Sequence, residues 1–335
     1  MIIIRPRDIP PNPFNTILWG TEEIQWGDGA LAWGVKEGAV LSASNVPATD
    51  PGEDEWDSGT TYSQGDIVTV LGTTQRRFES VDDNNEDNFP PDSPNDWLDL
   101  GATNRWRMFD GGTGTITTNP ESVEVTIEPD GFVNSLSFFT LDANEVSIKV
   151  TQSGDIVYEE SVKIPLQTSS SNWYSYFFKT FGERFRDTVA LNIPPVPDPV
   201  ITITMSREGG VAGIGLILAG RQQSLGTTIY GSSVGIQDFS IKENDDFGNP
   251  TVVERAFVKR ADLDVRLNSQ DVSRVQRILA ELRATPTVYI GSPNACLFCP
   301  DPIHGETIVF GYYRDFDIVL QDRVSSSATL EIEGL

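Results

Sequence analysis

Apolar and polar residues alternate at period two in Val123-Glu-Val125-Thr-Ile127, in Val146-Ser-Ile148-Lys-Val150 and in Ile201-Thr-Ile203-Thr-Met205. Successive side chains of a strand point to opposite faces, so this period predicts strands with one buried face. With Asp130-Gly131 and Ser153-Gly154-Asp155 as turn signals, the pattern predicts about seven or eight strands between residues 103 and 222, arranged as an antiparallel sandwich. The longest apolar run, Val211 to Ala219, has nine residues where a spanning helix needs ~20, and it predicts one buried strand. Its glycines, Gly213, Gly215 and Gly220, lack the spacing of a dinucleotide loop.

The period changes once. From Asp271 to Arg283, Val272, Val275, Ile278, Leu279 and Leu282 form one apolar stripe at helical spacing, with Ser269 as the expected N-cap and Thr285-Pro286 as the stop. Short strands are expected on both sides of this helix: 256–258 and 263–267 before it, then 287–290, 307–310, 317–320 and 328–332 after it. The predicted fold class is mainly β and multidomain.

Composition agrees with that class: 335 residues with 29 Gly and 21 Pro suit several domains of short strands and turns. The formal charge of -25 comes from 49 acids against 24 bases, and it argues against partners that are nucleic acids or anionic membranes. No basic segment followed by an apolar one opens the chain, so synthesis in a reducing cytoplasm is expected, with the two cysteines reduced. Residues 1–49 form an N-terminal β segment in which Trp19-Gly20, Trp26-Gly27 and Trp33-Gly34 recur every seven residues; their indoles serve either a core or an aromatic platform.

Residues 50–102 are a separable insert, because between Asp50 and Leu100 there are 14 acids against only Arg76 and Arg77. Gly65-Asp66 makes a turn, Ile67 to Val70 and Arg77 to Ser80 are β-prone, and 71–74 joins them as a hairpin. A core this small needs Trp56, Tyr62, Phe78 and Trp97 for much of its apolar area. Trp56, Tyr62-x-x-Gly65-Asp66-x-Val68, Phe78, Pro90 and Trp97, in that order, resemble the small chitin-binding-type modules of carbohydrate-binding families five and twelve. The resemblance implies that exposed aromatics stack on sugar rings, and it marks Trp56, Tyr62, Phe78, Phe89 and Trp97 as the candidate contacts. The loop from Val81 to Phe89 departs from the family by offering Phe89 as its sole aromatic. Its hard oxygen donors, from Asp82 to Asn88, lack EF-hand spacing, which favours a solvated acidic loop over a calcium site.

Asn104 to Asp110 and the strands after it resemble galactose-binding-like jelly rolls, which places a jelly-roll domain at 103–222. Residues 223–335, through Asp238 to Asn249, the helix, Tyr312-Tyr-Arg-Asp-Phe316 and the ending Leu330 to Leu335, resemble the tail-tube-related domain of distal tail proteins of tailed bacteriophages: a β domain with one helix. That resemblance implies a ring-forming subunit of a tail tip or baseplate in the virion tail. Its expected partners are itself, other tail proteins of the tube and hub, and a host-surface glycan. The dense aromatic cluster from Trp173 to Phe178 fits a protein interface better than a sugar site.

Catalysis has little in the sequence to stand on, and no cofactor or metal is expected. Cys296-x-x-Cys299 with Asp301 and His304 offers four zinc ligand types but no second paired motif. Gly231-Ser-Ser233-Val-Gly235 has the letters of a nucleophile elbow, yet the β-prone run Ile236 to Ile241 follows where a helix is required. The alternative function is a polysaccharide depolymerase with an appended binding module, using some pair among the 49 carboxylates.

Overall fold

A computed structural model describes residues 1–7, 40–71, 75–129, 131–164, 186–244, 250–283, 285–292, 294–299 and 305–335. The three Trp-Gly pairs, the Trp173 to Phe178 cluster, Asp130, Asp301 and His304 lie outside the described residues. The chain divides into two compact units. One comprises Met1–Pro6, Asp187–Asn192 and Gly220–Leu335, the other Arg7–Arg186 and Ile193–Ala219. The fold is mainly β with one described α-helix, Val272–Glu281.

In the second unit a five-stranded antiparallel sheet runs in the order Asp155–Lys163, Glu145–Gln152, Val200–Ile214, Thr117–Glu128 and Val40–Ser44. Its register turns the sequence alternation into rungs: Ile201 stands between Ile127 and Val150, Ile203 between Val125 and Ile148, and Met205 between Val123 and Val146. All nine side chains are buried. Each contributes about 1.5–3 kcal/mol relative to exposure, so these rungs hold the sheet. The strand Ser135–Leu141 is buried along nearly its whole length, with Leu136, Phe138 and Leu141 in the core.

The run 211–219 is not one strand. It ends Val200–Ile214 and begins Leu216–Ser224, with a bend at Gly215. A Cβ on Gly215 would lie 2.9 Å from the Thr140 side chain, so the backbone turns where only glycine fits.

In the first unit the strands run 220–224 (the end of Leu216–Ser224), Ile2–Arg7, Thr287–Ile290, Ile308–Leu320, Ser325–Gly334 and Phe257–Asn268. The last of these carries Thr227–Thr228 and Ser233–Asp238 on its other edge. The two strands expected at 307–310 and 317–320 are one, Ile308–Leu320, kept continuous by a bulge between Tyr313 and Asp315 against Ser325–Gly334. The helix lays Val275, Leu279 and Leu282 on Leu263, Val265, Leu330 and Ile332 of the sheet. Ser269 does not cap it: a 3-10 turn, Ser269–Asp271, intervenes, and the Ser269 hydroxyl donates to the Asp322 carbonyl (2.9 Å).

The cysteines are also not reduced. Cys296 and Cys299 form a disulfide. A turn in which the Cys299 N–H donates to the Cys296 carbonyl brings their Cα atoms to 5.3 Å, inside the bonding range. The elbow letters fall on a turn at Gly231 and the strand Ser233–Asp238. No described helix is long and apolar enough to cross a membrane.

Candidate carbohydrate-binding site

The insert folds as a four-stranded sheet in the order Asp54–Glu55, Ile67–Val70, Arg76–Ser80 and Trp97–Ala102; the first pair is parallel and the others antiparallel. Tyr62, Val68, Phe78 and Trp97 form its core, with Trp56 and Val70 packed against them. Tyr62 meets Trp97 edge to face at 5.2 Å. The Tyr62 hydroxyl accepts from the Asp57 N–H (2.8 Å) and donates to the Asp57 carbonyl (3.2 Å), which closes the loop after Trp56.

Three of the five candidate contacts are therefore core residues: Tyr62 is 8% exposed, Phe78 6% and Trp97 3%. Their rings are closed to a sugar. Trp56 and Phe89 are half-buried and adjacent, with ring centroids 5.1 Å apart and planes at 67°. Trp56 also packs against the module core and its indole nitrogen is buried, so the pair keeps only part of its aromatic surface at the module's exterior.

The acidic loop is organised by its asparagines. Asn85 is buried; its side chain donates to the Ser80 hydroxyl (3.0 Å) and the Asp96 carbonyl (3.2 Å), and its backbone pairs with Tyr62. Asn88 donates to the Asn85 side-chain oxygen (2.8 Å), while the Trp97 indole N–H donates to the Asn88 carbonyl (2.9 Å). Asn84 and Asp87 take positive φ values of 61° and 57°, which suits residues whose short polar side chains tolerate the left-handed region. Asp82, Asp83, Glu86 and Asp87 stay exposed. Among the described residues no three His, Cys, Asp or Glu side chains converge as a metal site.

No local pattern in the sequence announces how the module is mounted, although two arginines among 14 acids are the natural sign of paired charges. The Arg77 guanidinium lies across the Glu53 carboxylate, with Nε 2.8 Å from each oxygen, and 3.5 Å from Asp50. The hydrogen bond that Arg77 donates to the Glu53 carboxylate holds the Arg77 pKa above its ordinary value. Asp50 also accepts from Arg107 (3.2 Å) and from the Asn104 N–H (2.8 Å). Arg105 donates to the Val46 carbonyl at 2.6 Å, and burial of its guanidinium lowers its pKa. The two chain ends of the module, near 46–53 and 103–107, are thus bonded to each other.

No protein-family model matches the chain, and no curated protein does. Several solved structures are similar to it. An F5/8 type C domain from Bacteroides fragilis is 14% identical, with 36% of this chain and 82% of that one covered and a TM-score of 0.25. A family 32 carbohydrate-binding module from C. perfringens NanJ, solved in complex with galactose, is 12% identical over 36% and 84% at 0.24. A fucolectin from striped bass serum is 10% identical over 69% and 90% at 0.23. No residue role is carried across from them.

Proposed function

We propose that this chain is a structural subunit of a tailed-phage tail tip or baseplate, which assembles into a ring and presents its small β module to a host-surface glycan. The observation that carries the adhesive part is the partly exposed Trp56–Phe89 pair, set on a module whose own core is closed by Tyr62, Phe78 and Trp97. Trp56 and Phe89 are the stacking platform, and the other three aromatics keep it in place. The Asp50 network supports the reading too, because it mounts the module rather than tethering it. A single aromatic pair holds a sugar weakly. Several copies in a ring hold it strongly, since each later contact is intramolecular and raises avidity by about 10²–10⁴.

The structural part rests on the sequence resemblance of residues 223–335 to tail-tube-related domains and on the mainly β build. Two readouts on the intact chain test the proposal. Electron micrographs of the purified protein should show closed symmetric particles, and a glycan array should show retention on at least one glycan. A monomeric particle removes the ring, and an array without a binder removes the adhesive role.

A further inference from the structure

Ser233–Asp238 is an edge strand: it pairs with Phe257–Asp262, and no other described strand pairs with it. Beyond the pairing of Arg260 with Glu333, Phe257–Asn268 has lost its neighbour Ser325–Gly334. What continues is a two-stranded ribbon, formed first by Ser233–Asp238 against Phe257–Asp262 and then by Ile241–Asn244 against Pro250–Val253. An isolated pair of strands is marginal in water. This one is also apolar where water should meet it: Val234, Ile236, Phe239, Val252, Val253 and Phe257 are all exposed, Ile236 and Val252 at 63%. Val252 and Val253 are consecutive, so their side chains leave opposite faces, and both faces are open.

The one charge on this edge strand is its last residue, Asp238, which is paired with Lys242 (2.6 Å). From Ser233 to Gln237 it has no charge and no proline, over a length that pairs continuously. Charge indicates what adds to it. The unit that holds the ribbon has 12 bases against 17 acids, whereas the other unit has 12 against 32. Two copies therefore approach at least electrostatic cost through the first unit, and a basic partner would be drawn to the second. Strand Ser233–Asp238 is also compatible with itself. In an antiparallel pairing centred between Gly235 and Ile236, each Asp238 stands opposite the Ser233 of the other copy, so no like charges meet.

We infer that Ser233–Asp238 is a self-association edge, which pairs with the same strand of a second copy of this chain across a two-fold axis. The apolar side chains beside it become the sides of that contact. A two-fold contact closes at a pair. It is separate from a head-to-tail ring contact, and where both operate the assembly is two rings joined back to back.

The test compares the mass of the intact wild-type chain in solution with that of Ile236→Lys and of Gly235→Lys. A Cβ at Gly235 has no atom within 4 Å, so this second variant preserves the fold should the first disturb it. Wild type should contain an even number of 36.8 kDa copies. Either lysine should halve that mass and weaken pairing by about 100-fold or more, because two like charges are brought to the axis. The amide hydrogens of 233–238 on the free edge, not those already bonded to Phe257–Asp262, should be protected in the wild-type assembly and exchange in the variants. An odd copy number, an unchanged mass in both variants, or unprotected free-edge amides at 233–238 would overturn the inference. A ring of half the mass that persists in the variants would leave the proposed function standing.

Discussion

At the scale of single residues, the module separates aromatics that hold it from aromatics that face out. Trp97 is enclosed by Tyr62, Phe78 and Val68 and anchors the acidic loop through its indole N–H. Trp97→Ala should cost about 3–5 kcal/mol, comparable to everything a domain of roughly 50 residues has in hand. The expected result is loss of the module's own thermal transition while the five-stranded sheet persists, followed by hydrogen exchange segment by segment. The sequence named these aromatics but not their direction. Residue type alone ranks a tryptophan as a candidate contact and a leucine as core, yet here Trp97 is 3% exposed and its neighbour Leu98 is 55% exposed. Which of two consecutive residues faces inward depends on the register with Arg76–Ser80, where a bulge between Arg77 and Phe78 shifts the count.

At the scale of elements, period two and period 3.6 were legible wherever one face was buried. The three rungs through Ile201, Ile203 and Met205 follow directly from alternation, as does the helix stripe of Val275, Leu279 and Leu282. Breaks and joins were not legible. Gly215 ends a strand because Thr140 approaches it, and Tyr313 to Asp315 continues one because a partner strand tolerates a bulge; both causes lie far away in sequence. The same holds for the mounting of the insert, where Asp50 gathers Arg77, Arg107 and the Asn104 N–H. Hydrogen bonds to charged groups contribute about 1.5–3 kcal/mol each way they are lost, so Asp50→Ala should destabilise by about 2 kcal/mol. Chemical denaturation measures that loss, and faster amide exchange at Thr103 to Arg107 should accompany it. An unchanged midpoint with unchanged exchange would mean that the module is mounted by packing alone.

At the scale of the whole molecule, the distribution of charge matters more than its sum. The unit with the module carries 32 of the 49 acids, which keeps that surface hydrated and repels like surfaces of other copies. The unit with the helix is closer to neutral and holds the exposed ribbon. Its strand Ile2–Arg7 pairs with Thr287–Ile290 from the far end of the chain. No local pattern announces a pairing across nearly 290 positions, since it is decided by which apolar faces remain uncovered after local strands have formed. The central claim is that this β scaffold holds up an aromatic platform for sugar, with Trp56 at its centre. It is tested most directly by the affinity of the intact chain for a glycan that the array retains, measured for wild type and for Trp56→Ala at matched thermal stability. The account predicts that the variant keeps its assembly and loses binding by about 5-fold or more, which corresponds to a loss of about 1 kcal/mol or more. A Trp56→Ala protein that binds the same glycan as tightly as wild type would contradict it.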